Sequence, residues 1–231
     1  MTMIFDTAQR PVQEKPDVRL DAPFLGASSL IILKPRLRGI VRPLAASVAR
    51  AGFTANQVTF ASLAGSLVVG GVLCVNADNT ALFALLALWL PIKTMCAALD
   101  GTLAVEFGQR SRLGGILNEV GDILSDIALF APLAFVQPFP ANSIVFLITL
   151  IVFTELAGII GPLFGSERRL EGPLGKVDRS IILLILGVAI AILGDLPASA
   201  NALLPVLYGG LILTIWNRLR FAIADERKAP L

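Results

Sequence analysis

Carboxylate and amide side chains recur at helical spacing in one otherwise apolar stretch, LDGTLAVEFGQRSRLGGILNEVGDILSD, at residues 99–126. Asn118, Asp122 and Asp126 follow at intervals of four, which advance about 40° per step around an α-helix and place all three on one face. Asp100 belongs to the preceding apolar segment, and the short loop between the segments predicts antiparallel neighbouring helices. Because an ionisable side chain inside a bilayer costs about 2.5–3.5 kcal/mol on insertion scales, these residues indicate a functional site.

The depth of these side chains suits a bound cation. At about 1.5 Å of rise per residue, Asp100 and Asn118 lie roughly 8 Å from the loop end of their helices, and Asp122 roughly 14 Å. Mg²⁺ and Mn²⁺ prefer oxygen ligands and keep part of their water. A divalent cation would also allow neighbouring carboxylates to stay charged together. The sequence therefore predicts a cation site reached from the loop.

Composition places this chemistry in a membrane protein. Of the 231 residues, 55% are hydrophobic and 16% charged, with a mean hydropathy of +0.79, which excludes an ordinary soluble domain. The chain contains no histidine, so imidazole catalysis and imidazole metal ligands are excluded. Cys74 and Cys96 lie in apolar stretches and offer no disulfide framework. We expect an all-α integral membrane protein.

Six segments are long and apolar enough to span a bilayer, at about 20 residues for each helix. They cover approximately residues 58–75, 81–105, 113–135, 143–163, 180–193 and 203–222. The predicted organisation is a polar tail at 1–30, an amphipathic interfacial segment at 31–53, a six-helix membrane domain at 54–224 and a tail at 225–231. The segment TANQVT, at 54–59, predicts a polar N-terminal cap on the first spanning helix.

The distribution of basic residues predicts the orientation. The connections NADNT, QPFPAN and GDLPASAN contain no Lys or Arg, which places them outside and both termini in the cytoplasm. The basic segment at 31–53 suits a helix lying in the cytoplasmic headgroup region, or alternatively a flank that only fixes topology. Lys93 is the exception near mid-membrane, and we expect it to pair with Asp126 or Glu155.

The stretch around Asp100 resembles the signature of the CDP-alcohol phosphatidyltransferase family, DxxDGxxARx(7,8)GxxxDxxxD. Matching positions are Asp100, Gly101, Ala104, Gly114 and Asp122. Three other positions differ, because Ala97 and Asn118 stand where the signature has Asp, and Val105 where it has Arg.

This resemblance implies an enzyme that transfers a phosphatidyl group from a CDP-diacylglycerol-like lipid to an alcohol of unknown identity, with release of CMP. Asp122 would be the catalytic base, and Asp100, Asp122 and Asn118 would bind one or two Mg²⁺ or Mn²⁺ ions. The donor would contact Asp100, Gly101, Ala104, Gly114, Arg110 and Arg112. Lys176 and Arg179 would recognise a phosphorylated acceptor or the donor phosphates, or alternatively would only provide topological charge and contact lipid headgroups. Asp126 and Glu119 would support the site.

The resemblance also implies a homodimer in the cytoplasmic membrane, with its active site toward the cytoplasm, in contact with membrane lipids and without a nucleic-acid partner. Two alternatives follow from the residues. Loss of charge at Ala97, Val105 and Asn118 is typical of a family-derived binding or scaffold protein without activity. Buried Asp, Glu and Lys residues are also found in small transporters, although the chain shows no inverted repeat.

Overall fold

The computed structural model describes residues 34–163 and 168–226, and within them every regular element is helical. The α-helices are α1 (Lys34–Arg50), α2 (Ala55–Val75), α3 (Ala84–Glu106), α4 (Arg112–Phe130), α5 (Ala141–Leu163), α6 (Lys176–Leu193) and α7 (Leu203–Glu226). The all-α prediction is confirmed. The predicted tail at 1–30 and residues 227–231 of the second tail lie outside the described residues, and the predicted domain boundaries stay predictions.

Four helical segments of the described chain are long and apolar enough to cross a membrane. They are Ala55–Val75, Thr80–Glu106, Ala141–Leu163 and Ala198–Ala224. The helices α4 and α6 carry more charge, including Asp122 and Asp126 on the former and Lys176 and Arg179 on the latter. The predicted count of six spans and the cytoplasmic placement of both termini stay predictions.

Side-chain caps fix the ends of two helices that contribute to the site. The Oγ1 of Thr54 accepts a hydrogen bond from the backbone N–H of Gln57 at 3.3 Å, and the Oε1 of Gln57 accepts one from the N–H of Thr54 at 2.9 Å. This reciprocal capping box confirms the cap predicted from TANQVT. At the start of α4, the Oγ of Ser111 accepts from the N–H of Gly114 at 2.9 Å.

The packing brings α2, α3 and α4 side by side. The helix α2 packs against both α3 and α4, while α6 packs against α3 and α5 packs against α4 and α7. At Gly70 the backbone of α2 comes so close to Ala128 of α4 that any side chain there would overlap it. The helix α1 lies against α3, where Val41 and Ala45 pack on an apolar cluster that includes Leu103. Both α3 and α4 therefore pack against α2.

Candidate functional site

A small cleft with a cavity volume of about 10 Å³ lies between α2, α3 and α4 and collects polar residues of these helices. Its polar lining comprises Thr59 and Ser62 on α2, Lys93 and Asp100 on α3, and Asn118, Asp122 and Ser125 on α4. The three predicted metal ligands therefore face one shared space. Ala97, which stands at the signature's first Asp position, lines the same cleft.

Asp100 is held by a neighbour that the sequence analysis did not assign to the site. The Oγ1 of Thr59 donates a hydrogen bond to its Oδ2 at 2.7 Å, and the carboxylate is buried. Thr59 follows the Thr54 cap on α2, so the capping box also sets the position of this hydroxyl. The sequence did carry a signal for Thr59, which is its hydroxyl in the predicted polar start of the first spanning helix. That end of α2 lies beside the predicted cation site.

Asp122 meets a cation from a different part of the chain. The Nζ of Lys176, the first residue of α6, forms an ion pair with the Oδ1 of Asp122. The carboxylate predicted to act as the base is thus in contact with a residue predicted to bind the acceptor. About 50 residues separate the two in the sequence, and helix packing brings them together.

Deeper in the helices, Asp126 joins a buried ionic network. The Nζ of Lys93 lies 3.0 Å from the Oδ1 of Asp126, which confirms one of its two predicted partners. Arg179 donates to the Oδ2 of Asp126 at 2.8 Å and to the Oε1 of Glu155 at 2.6 Å. Its Nη1 also donates to the Oγ1 of Thr154 at 3.0 Å. Arg179 is therefore buried inside the helix bundle, and its role as an acceptor contact stays a prediction.

The network continues to α7 and to the segment before α6. Arg218, which is fully buried, donates to the backbone oxygen of Thr154 and lies 3.7 Å from Glu155. Arg168 contacts Glu119 at 2.8 Å and Glu155 at 3.4 Å. Arg218 was not predicted from the sequence to belong to the site, although a guanidinium within an apolar span indicates an internal partner.

The predicted donor residues occupy different surroundings. Gly101 is exposed on α3, and a side chain built there would meet nothing within 4 Å. At Gly114 a side chain would overlap the end of the Asn56 side chain, which would have to move. Ala104 packs on the apolar cluster under α1. Arg110 and Arg112, at the start of α4, are exposed to solvent.

The oxygen ligands that line the cleft suit one hard cation. Asp100 and Asp122 supply carboxylate oxygens and Asn118 supplies an amide oxygen, and Mg²⁺ typically takes one or two carboxylates together with water and substrate phosphates. Among the described residues, no group of three or more carboxylates or thiolates could hold a metal ion. Because Ala97 has no ligand atom, the residues present do not complete a second cation site.

Comparison with known proteins gives the family. No protein-family model matches the chain. Over 192 residues it is 36% identical to inner membrane protein YnbA of Escherichia coli K12, covering 83% of this chain and 95% of that protein. It is 29% identical to a phosphatidylinositol phosphate synthase of Mycobacteroides abscessus, covering 64% of this chain and 67% of that protein. The corresponding synthase of Mycolicibacterium smegmatis is 28% identical, with coverage of 68% and 69%.

The chain belongs to the CDP-alcohol phosphatidyltransferase family. The fold of this family member is similar to a Mycobacterium tuberculosis phosphatidylinositol phosphate synthase solved with CDP-DAG bound. The TM-score is 0.64 at 21% identity, covering 79% of this chain and 93% of the other. Similarity to an inner membrane protein and four apolar spans confirm the prediction of an integral protein of the cytoplasmic membrane.

Thr59→Val is expected to weaken divalent-cation binding in this phosphatidyltransferase family member by about 10- to 100-fold, the usual effect of removing a partner of a metal ligand. Valine keeps the shape of threonine but cannot donate to Asp100, so the carboxylate loses its fixed orientation. Electron paramagnetic resonance of Mn²⁺ titrated into purified protein with CMP measures the change.

Thr149→Val is the matched control, because the hydroxyl of Thr149 donates only to the backbone of its own helix α5. Equal Mn²⁺ affinity in Thr59→Val and the wild type would show that the hydroxyl does not position Asp100 for a cation.

Proposed function

We propose that this chain is an active CDP-alcohol phosphatidyltransferase that binds the diphosphate of a CDP-linked lipid at the mouth of the cleft between α2, α3 and α4. The observation that carries the proposal is the convergence of Asp100, Asn118 and Asp122 on one cleft. The binding of CDP-DAG by a protein of similar fold supports a CDP-lipid donor. All six helices α2–α7 would span the membrane, with both termini and the cleft toward the cytoplasm.

The chain's own residues would perform the proton transfer. The oxygen of the acceptor hydroxyl would form a bond to the lipid-side phosphorus while Asp122 accepts the hydroxyl proton. The phosphoanhydride bond would break and release CMP. Asp100, Asn118 and Asp122 would hold a Mg²⁺ or Mn²⁺ ion, which supplies Lewis-acid stabilisation of phosphate charge when bound. Lys176 would have to leave the carboxylate of Asp122 before that carboxylate can take the proton.

Remaining contacts follow from the same arrangement. The exposed Arg110 and Arg112 would reach the phosphates of the CDP-lipid donor from the α3–α4 connection. A guanidinium can donate two parallel hydrogen bonds to one phosphate group. Ala104 and Gly114 would shape the wall beside the nucleotide. Asp126 would act indirectly, because its ion pairs with Lys93 and Arg179 hold α3, α4 and α6 in register. A homodimer in the membrane is part of the proposal.

The test is CMP release from CDP-diacylglycerol by purified protein in lipid nanodiscs. We expect release that requires an alcohol, responds to Mg²⁺ or Mn²⁺ and stops when EDTA is added. Protein that binds neither CDP-diacylglycerol nor CMP, and releases no CMP with a broad panel of polyols and amino alcohols, would contradict the proposal.

A scaffold function is the second candidate, and two positions in the structure favour it. Ala97 lines the cleft without a ligand atom, and Val105 is 64% exposed where the signature places an arginine. A scaffold depends on packing and not on carboxylate chemistry. Loss of the cellular phenotype in Gly70→Leu, which would separate α2 from α4, together with its retention in Asp122→Asn would support this candidate over the enzyme.

A further inference from the structure

The guanidinium of Arg168 is already paired with the carboxylate of Glu119, which lies on the same helix as the proposed base Asp122. From this we infer that the acceptor is a non-phosphorylated alcohol, and that Glu119 determines this preference by occupying Arg168. The inference rests on the proposed function, because it concerns the alcohol that reaches Asp122.

The location of Glu119 connects it with the base. Glu119 and Asp122 are three residues apart on α4, so their side chains are neighbours on the helix surface. The carboxylate of Glu119 lies 2.8 Å from the guanidinium of Arg168, and their side chains are 27% and 32% exposed. This pair is thus accessible to a solute, in contrast to the buried pairs of Asp126. An acceptor whose hydroxyl reaches Asp122 would meet Glu119 and Arg168 next to it.

Arg168 depends mainly on Glu119 for its neutralisation. Its second partner, Glu155, is farther away at 3.4 Å and already accepts from Arg179 at 2.6 Å. The guanidinium of Arg218 lies 3.7 Å from the same carboxylate of Glu155. Three guanidinium groups therefore share Glu155. Glu119 is the carboxylate that neutralises the charge of Arg168, the outermost of the three.

Charge then decides between acceptor classes. A phosphomonoester carries about −1.5 to −2 charges at pH 7 and needs free guanidinium or ammonium groups to replace its hydration. A phosphorylated acceptor beside Asp122 would be repelled by the negative carboxylate of Glu119. Proteins commonly reject one class of ligand by placing a like charge at the binding site. A polyol or amino alcohol can donate hydrogen bonds to the same carboxylate. The guanidinium of Arg168, which could bind phosphate, is held by the carboxylate of Glu119.

The test compares acceptor pairs with the same carbon skeleton, glycerol with glycerol 3-phosphate and inositol with inositol 1-phosphate. CMP release by the wild-type chain in nanodiscs should be faster with the non-phosphorylated member of each pair. Isothermal titration of the full chain with glycerol 3-phosphate provides a second readout that needs no turnover. Glu119→Gln should bind glycerol 3-phosphate about tenfold more tightly than the wild type, a change of about 1.4 kcal/mol.

Two further variants show whether the gain comes from Arg168. Glu119→Gln combined with Arg168→Met should lose the gain, because no guanidinium is released. Glu106→Gln is the matched control, since Glu106 pairs with Arg42 at 3.0 Å on the surface between α1 and α3. It should leave the affinity for glycerol 3-phosphate as in the wild type.

The outcomes separate this inference from the proposed function. Faster CMP release with the phosphorylated acceptors in the wild type, or no gain of glycerol 3-phosphate affinity in folded Glu119→Gln, would overturn the inference. If Glu119→Gln does not fold, the wild-type acceptor pairs alone decide it. Absence of CMP release with every acceptor would contradict the proposed function, whereas the titration would still decide the role of Glu119.

Discussion

Asp122→Asn is expected to lower the rate of CMP release from CDP-diacylglycerol by about 100- to 10,000-fold, the usual contribution of a positioned general base. Asparagine keeps the size of the side chain but cannot accept the proton of the acceptor hydroxyl. It also offers a weaker oxygen ligand to a cation than a carboxylate does. Initial rates in nanodiscs at saturating donor and acceptor measure the effect.

A stability measurement must accompany this rate, because Asp122 is also the partner of Lys176. Lys176 is partly exposed, so its ammonium can be hydrated after the substitution, and we expect the thermal midpoint in detergent to change little. Asp195→Asn is the matched control, since Asp195 is exposed in the connection after α6. A rate for Asp122→Asn within threefold of wild type, in folded protein, would exclude Asp122 as the base.

Arg179→Met is expected to lower the free energy of unfolding by about 3–5 kcal/mol, the usual cost of removing one partner from a buried ion pair. Arg179 is the common partner of Asp126 and Glu155 and thereby connects α6 with α4 and α5. Methionine fills much of the volume but leaves two buried carboxylates to share the remaining cations. Unfolding in mixed dodecylmaltoside and SDS micelles, followed by circular dichroism, measures the change.

The matched control is Arg42→Met, because Arg42 forms an ion pair with Glu106 while remaining 74% exposed. Exposed pairs contribute about 0–1 kcal/mol, so this variant should stay close to wild type. Arg179→Lys keeps the charge and should recover part of the stability. Equal losses in Arg179→Met and Arg42→Met would show that the buried network does not hold these helices together.

Periodicity made much of the site predictable. Four-residue spacing placed Asn118, Asp122 and Asp126 on one helical face, and the structure has all three on α4. The short connection between α3 and α4 predicted that Asp100 would lie beside them, and Asp100, Asn118 and Asp122 line one cleft. Such predictions succeed because helix geometry and loop length are local properties.

Contacts between distant segments were less predictable. Two partners at a suitable depth were predicted for Lys93, and only the packing of α3 and α4 against their shared neighbour α2 brings Lys93 to Asp126. Arg179 and Lys176 both begin α6 in the sequence, yet one is buried against Asp126 and the other reaches Asp122 near the cleft edge. Their separate environments depend on the rotation of α6 about its axis, which no local pattern specifies.

The membrane class, the cap of α2, the polar stripe of α4 and the family signature were all predictable, because they depend on composition and on spacing within single helices. The contacts of Thr59 with Asp100, of Lys176 with Asp122 and of Glu119 with Arg168 were not predictable and are seen only in the folded chain. These are side-chain contacts between separate segments of the chain, and they depend on how the helices are rotated and packed against one another.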